Sequence, residues 1–129
     1  MNKPVLDSML LATTDPDRLR DWYAAVLDPA ENNTMDGYHV LRFGTFHLLI
    51  DRREDVEAKA ADANRMILNF DVADARAIAA RMDERRTTWV APLEDRDGSL
   101  FATAQDPDGN HVQIIQISPE QRAAMENAS

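Results

Sequence analysis

Cysteine is absent from the 129 residues, which excludes disulfide staples, thiolate nucleophiles and every Cys-ligated zinc or iron–sulfur centre. Any metal would have to be held by histidine or carboxylate. Basic residues are in deficit: 14 Lys and Arg stand against 23 Asp and Glu, a formal net charge of −9. A chain of that sign repels phosphate backbones and anionic bilayers, so neither nucleic acid nor membrane is an expected partner. Neutral or cationic small molecules stay open, although acidity also serves solubility alone. Long apolar runs are missing as well. No stretch approaches the roughly 20 residues of a membrane span, and residues 1–7 contain no apolar run of signal-peptide length, so the expected location is cytoplasmic.

What is present points to one folded domain. A hydrophobic share of 44% beside 29% charged residues is that of a globular protein rather than a disordered or fibrous one, and 129 residues fit a single domain. Residues 7–14 are apolar-rich and stop at Asp15-Pro16. Apolar residues then fall at Leu19, Trp22, Tyr23, Val26 and Leu27, the i, i+3, i+4, i+7, i+8 spacing of an amphipathic helix with Asp15 as N-cap and Pro16 at its first position. Residues 28–37 are polar and leave room for one short strand at most. Residues 38–43 and 45–51 flank Gly44 as the two arms of a hairpin. Residues 51–64, charged and alanine-rich, read as a linker.

Beyond the linker the same grammar returns. Met66, Leu68, Phe70 and Val72 alternate with Ile67, Asn69 and Asp71, which predicts a strand with the first set under a helix. Asp74 then opens an alanine-rich helix to about Glu84. Residues 88–93 form a strand, Asp95-Arg96-Asp97-Gly98 a turn, residues up to Ala104 another strand, Asp106-Pro107-Asp108-Gly109-Asn110 a second turn, and residues 111–117 a last strand. Superposing Asp15 on Asp74 lays strand on strand and helix on helix, with Gly44 near Gly109. The chain is expected to hold two copies of one β-α-β-β-β unit. Ser118-Pro119-Glu120-Gln121 starts a short terminal helix.

Two phrases carry a family resemblance: the strand-Asp-helix run through Trp22-Tyr23 and Val26-Leu27, and Gln105-Asp106-Pro107-Asp108-Gly109-Asn110 followed by an alternating strand. Together they resemble the vicinal oxygen chelate superfamily, the glyoxalase/bleomycin resistance/dioxygenase proteins. The resemblance implies an α+β fold in which two βαβββ units form curled mixed sheets around a cleft. Residues 1–129 would be a single such domain: unit one over about 5–52, linker over 53–64, unit two over 65–118 and a helical tail over 119–129. It also implies a homodimer. The turn at residues 106–110 is by itself only a good turn; its value is to locate the residues around it.

Metal-using relatives normally carry ligands near the end of the first strand of each unit and on the last strand. Counting back seven from Asp15 and Asp74, and onward from the second turn, places Ser8, Ile67 and Gln113 at those positions. An alkyl side chain does not ligate, and a hydroxyl and an amide add no charge to offset the dehydration of a divalent cation. The expectation is a cleft with no metal and no other cofactor. His39 and His47, expected to face each other across the hairpin at Gly44, and His111, which shares strand parity with Gln113, could rebuild a displaced metal site or act as general acid–base groups, but no nucleophile–base pair is visible in the sequence.

Strand parity selects a lining for the cleft: Ser8 and Leu10, Ile67 and Asn69, His111 and Gln113, with His39 and His47 as further contacts. Trp89 and Phe101 could each stack on a planar group, while Trp89 could equally belong to the core and Trp22 and Tyr23 read as helix packing. The expected function is metal-free binding of a small molecule in the manner of the bleomycin resistance branch, sequestering an aromatic or cationic compound such as an antibiotic. The alternative is an enzyme of the same superfamily, a lyase, isomerase or dioxygenase with relocated ligands or histidine acid–base chemistry; a third is a non-binding interaction module.

Overall fold

The computed structural model describes residues 3–127. The chain separates into two compact units that divide between Ala58 and Lys59, and each carries one four-stranded mixed sheet. The fold is α+β.

The first unit runs β1 (Ser8–Thr13), α1 (Pro16–Leu27), β2 (Glu31–Met35), β3 (Tyr38–Phe43) and β4 (Phe46–Arg52). Its sheet order is β1-β4-β3-β2, with β1 parallel to β4 and the remaining pairs antiparallel. The second runs β5 (Ile67–Asp71), α2 (Ala75–Glu84), β6 (Trp89–Arg96), β7 (Ser99–Gln105) and β8 (His111–Gln116), followed by α3 (Pro119–Asn127). Its order, β5-β8-β7-β6, with β5 parallel to β8, repeats the first.

The repeat extends to backbone detail. Asp15 (φ −138°, ψ 79°) and Asp74 (φ −141°, ψ 86°) cap their helices in nearly the same conformation. Each carboxylate accepts from a backbone N–H three residues on, Arg18 at 3.2 Å and Ala77 at 3.1 Å. β2 and β3 are joined by Asp36-Gly37, and β6 and β7 by Asp97-Gly98, all four residues at positive φ; this is the two-residue turn that matches the twist of a hairpin. β6, at the sheet edge, loses register around Pro92, where a residue without an N–H cannot serve a central ladder.

Each sheet buries one face under its helix. In the first unit α1 packs on β3 and β4, and Leu11, Leu19, Trp22, Tyr23, Val26, Leu41, Leu48 and Ile50 are buried. Trp22 and Tyr23 meet edge to face, ring centroids 4.9 Å apart. In the second unit α2 packs on β6, β7 and β8. Its core is rich in alanine (Ala75, Ala79, Ala102, Ala104) around Ile78, Met82, Leu100, Val112 and Ile114. On β5, Leu68 and Phe70 pair with the buried Val112 and Ile114 as parity requires. Met66 departs from expectation: it precedes the strand and is exposed.

The turn at residues 106–110 organises the second unit. Asp106 is buried, and its carboxylate accepts from the backbone N–H of Asp108 and Asn110 and from Asn110 Nδ2, all at 2.9 Å. The linker is strapped to the same turn: Ala60 N–H donates to Asp108 O at 2.8 Å and Lys59 Nζ to Pro107 O at 2.6 Å. Gly109 (φ +83°) leaves the space that Lys59 and Ala60 approach.

Candidate functional site

The face of each sheet turned away from its helix is assembled in cross-strand rows. On the second sheet one row joins Ile67, His111 and Gln105. The next joins Asn69, Gln113 and Thr103, and the third Asp71, Ile115, Phe101 and Glu94. Ile67 and Asn69 are exposed, Gln113, Thr103 and Phe101 half-buried, and His111 buried. The middle row holds three uncharged side chains, each able to donate and accept, with Ile67 beside Asn69 on one side and Ile115 and Phe101 on the other.

Both carboxylates on this face have cationic partners. Asp71 receives Arg122 Nη2 at 2.8 and 3.1 Å, which binds α3 to the sheet and holds the Arg122 guanidinium above its ordinary value through that hydrogen bond. Glu94 pairs with Arg96, whose guanidinium carbon lies 5.0 Å from the Phe101 ring centroid.

On the first sheet the corresponding face holds the rows Ser8–His47–Arg42–Glu31 and Leu10–Leu49–Val40–Asn33. Arg42 is committed to Glu31 (3.2 Å) and to Gly44 O (2.7 Å). Leu10 and Met35 are about half exposed.

The structure therefore brings Ile67, Asn69, Phe101, His111 and Gln113 onto one face, and Ser8, Leu10 and His47 onto the matching face of the other unit. It does not bring His39 or Trp89 there. His39 stands opposite Ile50 and His47 opposite Arg42, so the two histidines occupy opposite sides of the sheet instead of facing each other. His39 is turned to α1, where Nε2 meets Asp17 Oδ1 at 2.8 Å. Trp89 pairs with the buried Ala104 on the helix side, and its indole N–H donates to Asp83 Oδ1 on α2 at 2.8 Å. Thr103 and Gln105, which complete two of the rows, were not selected from sequence; they share parity with Phe101, and counting along that strand would have found them.

The metal positions implied by the family resemblance can be tested against this geometry. Ser8 adjoins His47, Ile67 adjoins His111, and Gln113 lies between Asn69 and Thr103. Among the described residues no three His, Asp or Glu side chains are grouped to hold a metal ion. None of the three positions offers a charged ligand, and both acids on this face, Asp71 and Glu94, are held by Arg122 and Arg96, so the set does not fit a divalent cation. Isothermal titration of the protein with zinc or manganese is expected to show no stoichiometric binding. Gln113→Glu is expected to behave the same, because it adds a single charged ligand where three are needed. Micromolar binding by that variant would reveal an imidazole already aimed at the centre.

The Asp17–His39 contact makes acid stability predictable. The His39 hydrogen bond, with smaller contributions from His39, Arg20 and Arg52 charge, holds the Asp17 carboxyl below its ordinary value of 3.8. A lowered carboxyl value contributes stability that is present above the unfolded value and lost as pH falls through the folded one. Urea unfolding of wild type and Asp17→Asn should differ at neutral pH and converge below about pH 4. Because Asp17 is exposed, the difference should also shrink with added salt.

Among the described residues no helix is long and apolar enough to cross a membrane. A model of the Glyoxalase/Bleomycin resistance protein/Dioxygenase superfamily matches residues 5–114. No curated protein matches the sequence. Solved structures with the same fold include a glyoxalase/bleomycin resistance protein from Albidiferax ferrireducens T118, with TM-score 0.71 and 19% identity over 86% of this chain and 97% of that one. TioX from Micromonospora sp. ML1 aligns with TM-score 0.64 and 20% identity over 88% and 98% of the two chains. The oxidase ChaP-H2 aligns with TM-score 0.73 and 17% identity over 90% and 95%.

Proposed function

Because the chain belongs to the glyoxalase/bleomycin resistance protein/dioxygenase superfamily, we propose that it is a metal-independent binding protein for a small, flat organic molecule. The ligand lies on the helix-free face of the second sheet. One observation carries the reading: Asn69, Gln113 and Thr103 form a neutral hydrogen-bonding row flanked by Ile67, Ile115 and Phe101. A few placed polar groups among apolar ones are the usual make-up of a small-molecule site. Since Asp71 and Glu94 already hold arginines, the face favours an uncharged aromatic compound bearing amide or hydroxyl groups over a cation. An aromatic antibiotic, sequestered in the cytoplasm by a homodimer, is the fullest form of this proposal. The half-exposed Leu10 and Met35 of the first sheet are apolar surface that a second copy would cover.

Equilibrium dialysis against a panel of aromatic antibiotics tests the binding. Gln113→Ala is expected to weaken a bound compound about tenfold, the loss of one to two hydrogen bonds, and Phe101→Ala by a similar factor. Uniform failure of the panel would remove the sequestration reading. Sedimentation equilibrium would show the dimer, with ligand shifting dissociation to lower protein concentration; a folded monomer at every concentration would remove the homodimer.

A further inference from the structure

We propose that Thr34, His39, Asp17 and Arg20 form a separate acyl-transfer centre in the first unit, with the Thr34 hydroxyl as nucleophile and His39 as its general base. His39 Nε2 lies 2.8 Å from Asp17 Oδ1, and Nδ1 lies 2.9 Å from Thr34 Oγ1. Arg20 Nη1 approaches the same Nδ1 at 3.4 Å. A carboxylate only accepts and a guanidinium only donates, so in neutral His39 the proton sits on Nε2 and the lone pair on Nδ1. Thr34 Oγ1–H then donates to that lone pair at 2.9 Å, sharing it with the longer Arg20 contact at 3.4 Å. This is the relation a hydroxyl needs to become a nucleophile: a base within hydrogen-bond reach, itself oriented by a third group.

Burial and exposure are divided as the chemistry requires. His39 is buried and its ring is held from both sides, whereas Thr34 is exposed on β2, an edge strand open to solvent. Asp17 comes from the first turn of α1 and is itself near Arg20 Nη2 (3.8 Å). The Arg20 guanidinium, whose Nε donates to Asp21 Oδ1 at 2.6 Å, sits beside the nitrogen that binds Thr34 Oγ1, and its charge favours negative charge developing on a carbonyl attacked by that hydroxyl. The two ring nitrogens have exchanged roles relative to the usual serine hydrolase arrangement; either nitrogen of a neutral imidazole can carry the lone pair. Nucleophile, base, orienting acid and cation are thus present together in the first unit.

The substrate class is a small, unhindered carboxylic ester with a good leaving group, because a secondary hydroxyl on an open strand attacks best where crowding is least. Thr34 Oγ bonds to the carbonyl carbon as its proton passes to His39 Nδ1. The bond to the leaving oxygen then breaks, and His39 returns the proton to it, leaving an ester on Thr34. Water, deprotonated by Nδ1, attacks that ester, releases the carboxylic acid and restores Thr34.

The test uses p-nitrophenyl acetate and the whole protein. Wild type is expected to release p-nitrophenolate with an initial burst and to carry one acetyl group, mapped by peptide mass spectrometry to Thr34. Thr34→Ser should retain acylation. Thr34→Val, conservative in shape and exposed, should lose it by about 100-fold or more, as should His39→Gln. Asp17 acts through His39 as a positioning residue: Asp17→Asn should slow acylation and Asp17→Glu should restore part of it, a pattern that a purely structural contact would not give. Absence of acetyl at Thr34 in the folded wild type, or a Thr34→Val rate equal to wild type, would overturn the proposal.

Discussion

Asp106→Ala is expected to cost about 3–5 kcal/mol of folding stability, a large part of what a domain of this size possesses. Asp106 is 3% exposed, and its carboxylate accepts from two backbone N–H groups and one side-chain amide. Alanine leaves all three donors to find other partners in a turn that also anchors Lys59 and Ala60. Asp106→Asn should cost less, about 1–3 kcal/mol, because one amide oxygen still serves the two backbone donors while its NH2 group opposes that of Asn110. Urea midpoints at constant m-value measure both. If Asp106→Ala unfolds at the wild-type midpoint, the turn does not hold the unit together.

Leu19→Ala is expected to cost about 2–5 kcal/mol. Leu19 is completely buried in the first turn of α1, which packs on β3 and β4 against a core containing Leu41 and Ile50. Truncation removes apolar burial and leaves a void that neighbouring strands, fixed by their ladders, fill only in part. Leu19→Met, which conserves volume, should cost under about 1.5 kcal/mol. The same denaturant series checks the pair, and equal losses for the two variants would show that shape at this site, rather than volume, sets the stability.

Both predictions concern features readable in the sequence, and the reason is that both are local. Asp15 and Asp74 cap helices because a short acceptor followed by helical spacing satisfies nearby N–H groups wherever it occurs. The Asp-Pro-Asp-Gly-Asn turn closes on itself through Asp106. The doubled β-α-β-β-β order follows from such punctuation, and the resemblance to the superfamily, whose model matches residues 5–114, is carried by the same phrases.

The histidines show where local reading ends. A hairpin pivoting on Gly44 alone would place residues of equal parity on one face. The loop is Gly44-Thr45, two residues, so Phe43 pairs with Phe46 and His39 with Ile50, and every side chain of one arm changes sides relative to that simpler picture. Trp89 went to the helix side for a related reason: its strand is an edge that shifts register between Ala91 and Glu94 and again between Trp89 and Ala91, which turns Trp89 away from the face of Ala91, and its indole donates to an acceptor on α2.

The amino-acid sequence by itself determined the elements, the repeat, the turn chemistry and the lack of charged donors at Ser8, Ile67 and Gln113, since each depends on residues close along the chain or on side-chain chemistry alone. Tertiary structure alone decided which residues share a row and which face each row presents. It put Thr103 beside Gln113 and Arg122 on Asp71, and it gathered Asp17, Arg20 and Thr34 around His39. Pairing register and helix docking are set by the sum of packing over whole strands, and a shift of one residue, invisible in composition or periodicity, moves a side chain from one face to the other.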